Sequence, residues 1–411
     1  MGAIILLLIS IGAEHPTDLP SAPVPLKVVE IARGHSWVSP YWGYSTPKVV
    51  FDGNRYYTAG LWGASPDTAT GVIYASSGAS WEEGAALPDI YQPATLGLDK
   101  NRRLIAAYTR KGRPVRLLRA IEPGNVASME DVPPPPEMED AYYIGMAVQH
   151  DTVYLAYLGG PDHSMFFTTL DLGTLNWTPT IVLQKGQIDH KPKTAWTYPI
   201  VFPTNAGIHI VASNSPDGGE GNTYNEVWYL FIPTGASEPA VRDRVAECPV
   251  GHLAYAMDML VDASGSVHVV MMRNRRVYGD PLPDTSPPEG TWYAVRDSAS
   301  GTWDMERLGP TALAGLYAWE GNVLVLMQQK GTIVAMQRRD DAAGWVTRFS
   351  LCPAQDIPAG PSFMDVLSQA SGSDLGRGLV VVSEGLLPEK ENEPRVRVLW
   401  ALMPEEAHRI P

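Results

Sequence analysis

Read as hydrophobic and polar positions, the chain repeats one short pattern. An apolar run is followed by a turn of Asp, Asn or Gly type, then by a second run rich in β-branched and aromatic residues. Copies span Val49–Tyr57, Leu96–Tyr108, Met146–Tyr157, Ile200–Val211, Met259–Val270, Leu316–Leu326 and Leu367–Val382, the last stretched by Ser371–Asp374. Two strands around a tight turn form a hairpin. The second strands are almost continuously apolar, which suits strands covered on both faces. Helical periodicity is weak, and Pro interrupts most stretches where a helix could have grown.

The copies lie roughly 45–60 residues apart, the range of a four-stranded propeller blade. A second strand pair follows most hairpins. Several end in a turn before Trp: Ser76–Trp81, Leu172–Trp177, Ser298–Trp303 and Asp341–Trp345. These turns resemble worn Asp-boxes of the BNR-repeat, sialidase-type propellers, with the Asp absent or displaced. The WD40 and kelch signatures do not recur. The expected fold is therefore all-β: a seven-bladed β-propeller of four-stranded antiparallel blades. As a single domain over 26–406, its blades fall at about 46–88, 90–137, 140–184, 194–249, 251–309, 310–353 and 360–406. Leu26–Ala32 has strand character and is expected beside Val396–Ala401, closing the ring and covering its free edge.

Composition fits this picture. The 411 residues include 38 Gly and 36 Pro, as many short strands and turns require. The net charge of −14 speaks against a nucleic-acid partner. A local basic pocket for an acidic sugar is compatible with it. Cys248 and Cys352 form no CxxC pair, so a cysteine zinc site is not expected; two unpaired thiols or one disulfide both stay open. The apolar run Met1–Ala13 resembles the core of a signal peptide lacking its basic leader, and it is too short to span a bilayer. It implies a secreted, periplasmic or envelope location, with no membrane span elsewhere. A monomer is expected.

Aromatic and polar residues gather just before the apolar runs: His35, Trp37, Tyr41, Trp42 and Tyr44, then Tyr91, Tyr142 and Tyr143, Trp196 and Tyr198, His252 and Tyr255. In a propeller these positions converge near the axis on one face. Rings beside hydrogen-bonding groups suit a carbohydrate, although each ring singly could equally pack between blades. The central copies are more specific. Thr197-Tyr198-Pro199 leads one inner strand and Ala254-Tyr255 the next, while His163 follows Val153–Tyr157. This succession resembles the BNR-repeat propellers that include the ulvan lyases, over about half the chain. The resemblance implies β-elimination on a uronate-containing polysaccharide. A base takes the C5 proton, an acid protonates the leaving C4 oxygen, and a cation or donor stabilises the carboxylate. In such lyases His and Tyr serve as base and acid, and Arg addresses the carboxylate.

Carried across, the catalytic positions are His163, Tyr198 and Tyr255. The family's first histidine falls near Asp140–Tyr142, where there is none, and its arginine falls on Asn214. Asn214, Tyr142, Trp196 and Arg273 are the expected substrate-binding residues, with Lys191, Lys193 and Arg275 as other sources of charge. No metal is assigned to the site and no cofactor is required. The Asp217–Asn222 loop could hold structural calcium, and His163, His190 and His252 are conceivable ligands of another metal. The expected partner is an acidic polysaccharide or oligosaccharide. Because two family residues are missing, a non-catalytic sugar-binding or interaction propeller stays open beside the lyase. A sialidase-like hydrolase is a further alternative, although no early inner-strand arginine marks its site.

Overall fold

The computed structural model of the chain describes residues 26–36, 47–77, 80–186, 195–215, 224–249, 252–275, 290–310, 313–319, 322–329, 332–338, 345–350, 364–366, 371, 381–386 and 396–404. Met1–Ala13, Trp37–Tyr44, His190–Lys193, Asp217–Asn222 and Cys352 lie outside them. Among the described residues there is no α-helix, only strands and one 3-10 turn at Pro66–Thr68.

β1 (Leu26–His35) opens the chain. The first sheet holds β2 (Val49–Phe51), β3 (Tyr56–Trp62), β4 (Thr70–Ser77) and β5 (Ser80–Pro88) in that order. The second holds β6 (Thr95–Leu98), β7 (Leu104–Arg110), β8 (Arg113–Ala120) and β9 (Met129–Val132). The third holds β10 (Ile144–Gln149), β11 (Thr152–Gly159) and β12 (Ser164–Asp171), with β13 (Asn176–Trp177) and β14 (Ile181–Gln184) both paired to β12. The fourth holds β15 (Ala195–Thr204), β16 (Gly207–Ser215), β17 (Glu226–Pro233) and β18 (Val241–Glu247). The fifth holds β19 (His252–Val261), β20 (Val267–Arg275), β21 (Gly290–Arg296) and β22 (Trp303–Gly309). The sixth holds β23 (Ala314–Trp319), β24 (Asn322–Gln329), β25 (Thr332–Arg338) and β26 (Trp345–Ser350). The seventh runs β27 (Met364–Val366), β28 (Val381–Leu386), β29 (Val396–Pro404), then β1. All these pairings are antiparallel, and β1 lies beside β29 with Val29 opposite Ala401.

Burial falls from the first strand of a sheet to the last. β19 is buried at every position and β7 at all but its final residue, whereas β5 is largely open to solvent and β22 is half-buried or exposed throughout. The core therefore lies between the faces of neighbouring sheets, which explains the unbroken apolar runs of the inner strands. The turns are set by Asp side chains acting on the backbone two to four residues on. Asp99 Oδ1 accepts from Asn101 and Arg103, and Asp262 Oδ1 from Ser264 and Ser266. Before the outer Trp residues the same device recurs: Asp171 Oδ1 accepts from Gly173 and Thr174, and Asp297 Oδ1 from Ala299 and Ser300. The Asp stands one residue before Leu172–Trp177 and Ser298–Trp303.

Backbone hydrogen bonds join several consecutive sheets. Leu96 N–H donates to Pro47 O (2.7 Å), Ala141 N–H to Arg113 O (3.0 Å), and Ala254 N–H to Tyr224 O (2.7 Å). Leu316 N–H donates to the buried Asp258 carboxylate (2.8 Å). Third and fourth sheets meet where Gly145 faces the Pro199 carbonyl; a Cβ on Gly145 would stand 2.0 Å from that oxygen. β23 touches β27, and Gly63 N–H donates to His35 O (2.8 Å), linking β1 to the first sheet. The proline run Pro133–Pro136 follows β9 and leads toward the third sheet.

Candidate functional site

The starts of β10, β15 and β19 come together, and each carries a tyrosine. Tyr143 precedes β10, Tyr198 lies in β15 and Tyr255 in β19. The Tyr143 and Tyr198 rings meet edge-on with centroids 4.7 Å apart, and Tyr198 meets Tyr255 the same way at 5.6 Å. Tyr224, just before β17, adds a fourth ring 5.8 Å from Tyr255. Such tilted contacts suit the positive edge of one ring against the negative face of another. Burial, then the neighbouring Tyr224 and Tyr91 phenols, push the Tyr143 hydroxyl well above its ordinary range. Burial also pushes Tyr224 up. Both stay protonated at neutral pH.

Tyr198 is held in an unusual backbone state. The β15–β16 register slips between Thr197 and Ile200, giving β15 one extra residue, and Tyr198 takes a φ of 48° inside that bulge. A bulky residue in the left-handed region is a true outlier, and bulges re-aim side chains. His163 also has a positive φ, 50°, in the turn between β11 and β12. That turn is closed by His163 N–H to Gly160 O (3.2 Å) and anchored by Gly160 N–H to Asp140 Oδ1 (2.8 Å). The His163 ring lies against Tyr142 with centroids 5.1 Å apart. Burial holds the imidazole below its ordinary pKa, against the opposing pull of Asp140 and Asp162. His163 is thus neutral at pH 7 and able to accept a proton. Burial, then Asp140, push the Tyr142 phenol up.

Three further candidates stand elsewhere in the packing. Trp196, Asn214 and Arg273 are buried, as Tyr198 and Tyr255 are. Asn214 lies opposite both Trp196 and Glu226 in the fourth sheet and gives its amide N–H to Glu226 Oε2 (2.7 Å). The same carboxylate accepts from Trp228 Nε1 (2.8 Å) and Arg244 Nη1 (3.2 Å). Trp196 packs edge-on against Trp228. Arg273 lies opposite Ala254 while Met272 lies opposite Tyr255, so Arg273 and Tyr255 leave their sheet on opposite faces. Its guanidinium sits over the Trp292 ring, 4.6 Å from the centroid.

The structure therefore joins Tyr198 to Tyr255 directly and His163 to Tyr142, while Asn214, Trp196 and Arg273 sit in the supporting layer. Sequence reasoning passed over Tyr224 and gave Asp140 no role. Asp140 lies in the stretch Asp140–Tyr142, where the resemblance to ulvan lyases would place a histidine, a signal that could have found it. Among the described residues, no three His, Cys, Asp or Glu side chains gather in a way that could hold a metal ion. Cys248 is free and buried, and burial raises its thiol pKa. No helix among the described residues is long and apolar enough to cross a membrane.

No protein-family model matches the chain, and no curated protein matches it in sequence. Among solved structures, a PL25 ulvan lyase bound to -[GlcA(1-4)Rha3S]- aligns with a TM-score of 0.65 and 11% identity, over 92% of this chain and 96% of that one. A second PL25 ulvan lyase structure gives 0.64 with the same identity and coverage. The polysaccharide lyase Uly1 gives 0.57 at 11% identity, over 90% of this chain and 92% of its own. At this identity the likeness carries the fold: four-stranded antiparallel sheets arranged as in these propellers.

Proposed function

We propose that this chain is a seven-bladed propeller, closed by β1, that cleaves a uronate-containing polysaccharide by β-elimination. The ring reading rests on the contacts that link each sheet to the next and β1 back to the first. The lyase reading rests on one observation above all: a strained tyrosine, Tyr198, packs against Tyr143, whose chain neighbour Tyr142 holds a neutral histidine, His163, in a chain shaped like lyases of which one binds a GlcA-containing oligosaccharide.

In this reading His163, uncharged at neutral pH, removes the C5 proton. The C4–O bond breaks as the C4=C5 double bond forms, and Tyr198 gives its proton to the leaving oxygen. Tyr255 and Tyr143 hold Tyr198 in place, and Tyr142 positions the imidazole. The product chromophore gives the test. Purified protein with a panel of uronate polymers, ulvan included, produces a rise in ultraviolet absorbance. Tyr198→Phe and His163→Ala each lower the rate by about 10²–10⁴, as expected for loss of a general acid or base. No rise on any polymer overturns the reading.

One observation favours a second reading, a sugar-binding propeller without catalysis. Asn214, at the family's arginine position, is tied to Glu226, and Arg273 faces away from Tyr255. Neither brings charge to a substrate carboxylate. Retained binding of the polymer without any absorbance change decides for it.

A further inference from the structure

A cleft of about 410 Å³ lies between the fourth and fifth sheets. It opens at the turns that end β15 and β19, the opposite ends of these strands from Tyr198 and Tyr255. Its volume falls within the roughly 300–1,000 Å³ usual for small-molecule sites. We propose that this cleft binds a neutral pyranose unit, at a site separate from the tyrosine cluster and independent of whether that cluster is catalytic.

Charge decides the ligand class. Arg296 reaches the cleft, but its Nε is bonded to Asp243 Oδ2 (3.0 Å), so its charge is already balanced. Asp262, on the opposite lip, adds a carboxylate whose Oδ2 meets His268 Nε2 (3.0 Å). His209 is neutral: burial first, then Arg296, lower its pKa to about 4. Its tautomer follows from its neighbours. The Thr204 hydroxyl donates to Gly207 O (3.0 Å), so it accepts from His209 Nε2 (3.3 Å). His209 Nδ1 is then bare and accepts from the Tyr229 hydroxyl (2.8 Å). The groups facing the cleft hold no surplus positive charge, which disfavours a carboxylate or sulfate ligand.

Shape and hydrogen bonding favour a sugar. The partly exposed Phe231 ring, backed by the buried His209 ring 4.8 Å away, gives an apolar wall for C–H faces. Among the described residues Arg296 hydrogen-bonds a side chain through Nε, with the fork of Nη1 and Nη2 left for hydroxyl oxygens. Ser298 and Asn205 add a hydroxyl and an amide at the rim. A rigid aromatic wall with a few convergent planar polar groups and balanced charge fits a hydroxyl-rich, uncharged ring.

The test titrates the full chain with methyl β-D-glucopyranoside, methyl α-L-rhamnopyranoside and methyl β-D-glucuronide, following ligand-observed NMR to about 50 mM, well beyond a weak ~1 mM affinity. At least one neutral glycoside should bind roughly tenfold or more tightly than the glucuronide. Ala263→Trp, at the exposed turn on the cleft's lip, should weaken that binding at least tenfold while leaving the melting temperature unchanged, and Tyr198→Phe should leave it intact. Absence of binding by both neutral glycosides, equal or tighter binding of the glucuronide, or binding indifferent to Ala263→Trp overturns the proposal. Loss of lyase activity does not bear on it.

Discussion

Tyr198 holds its φ of 48° between Thr197 and Pro199, a state that costs a bulky residue on the order of 1–3 kcal/mol. The surrounding rings over-determine it, and such outliers point toward function rather than away from it. His163 tests the same site through its titration. If the neutral imidazole is the base, activity falls as pH drops through its pKa, and that pKa lies below the ordinary histidine value because of burial. Asp140 opposes this shift. Asp140→Asn should therefore move the acid limb of the pH–rate profile, and the His163 NMR titration, to lower pH. An unchanged or upward-moving midpoint in the variant contradicts the assignment. Residue identity was readable here, but direction was not. Asn214 and Arg273 lie at the strand positions suggested, yet which face a strand residue takes depends on register, and a slip of one position reverses it.

His209 on β16 pairs with Tyr229 on β17, and His268 on β20 pairs with Tyr293 on β21, at 2.8 and 2.5 Å. Both are diagonal pairs with the same offset, since Val211 faces Tyr229 and Val270 faces Tyr293. The repeat is visible as Ile208-His209-Ile210-Val211 with Trp228-Tyr229, and Val267-His268-Val269-Val270 with Trp292-Tyr293. Tyr293→Phe leaves the bare His268 nitrogen unsatisfied and should cost about 1–3 kcal/mol, measured by denaturant unfolding. The pairs also tie stability to pH. Burial lowers both imidazole pKa values, His209 to about 4. The unfolded chain then binds a proton first as pH falls, so stability is full above about 6.5 and declines toward 4. For His209 the loss is on the order of 3 kcal/mol. His209→Phe should flatten the unfolding free energy over that window. Strands and turns were legible throughout, because apolar runs and Asp turns are local. The Tyr224 partnership was not, because it joins the entry to an outer strand of one sheet to the first strand of the next.

At the scale of the whole molecule the question is how sheets that share no strand hold their spacing and close. Gly145 shows the first part. Its missing side chain lets the third sheet approach the Pro199 carbonyl of the fourth, next to Tyr198. Gly145→Ala must push the sheets apart and should cost about 1–3 kcal/mol by overpacking, with a loss of any Tyr198-dependent rate. The proposed closure rests on β1. It pairs with β29 from Leu26↔Pro404 to His35↔Val396, and past His35 the Ser36 hydroxyl donates to Leu61 O (2.9 Å) in the first sheet. One strand thus pairs with the chain's C-terminal end and touches the sheet formed by its N-terminal end. If the ring is closed in this way, removing residues 1–36 does more than trim an edge. It frees the backbone groups of β29, a strand edge that invites pairing with other chains, and it uncouples the last sheet from the first. The shortened chain should unfold at lower denaturant with a broader transition and should scatter light on warming, whereas removing only residues 1–25 should change neither. A chain lacking β1 that unfolds as the full chain does would mean that the seventh and first sheets are held together by their faces alone.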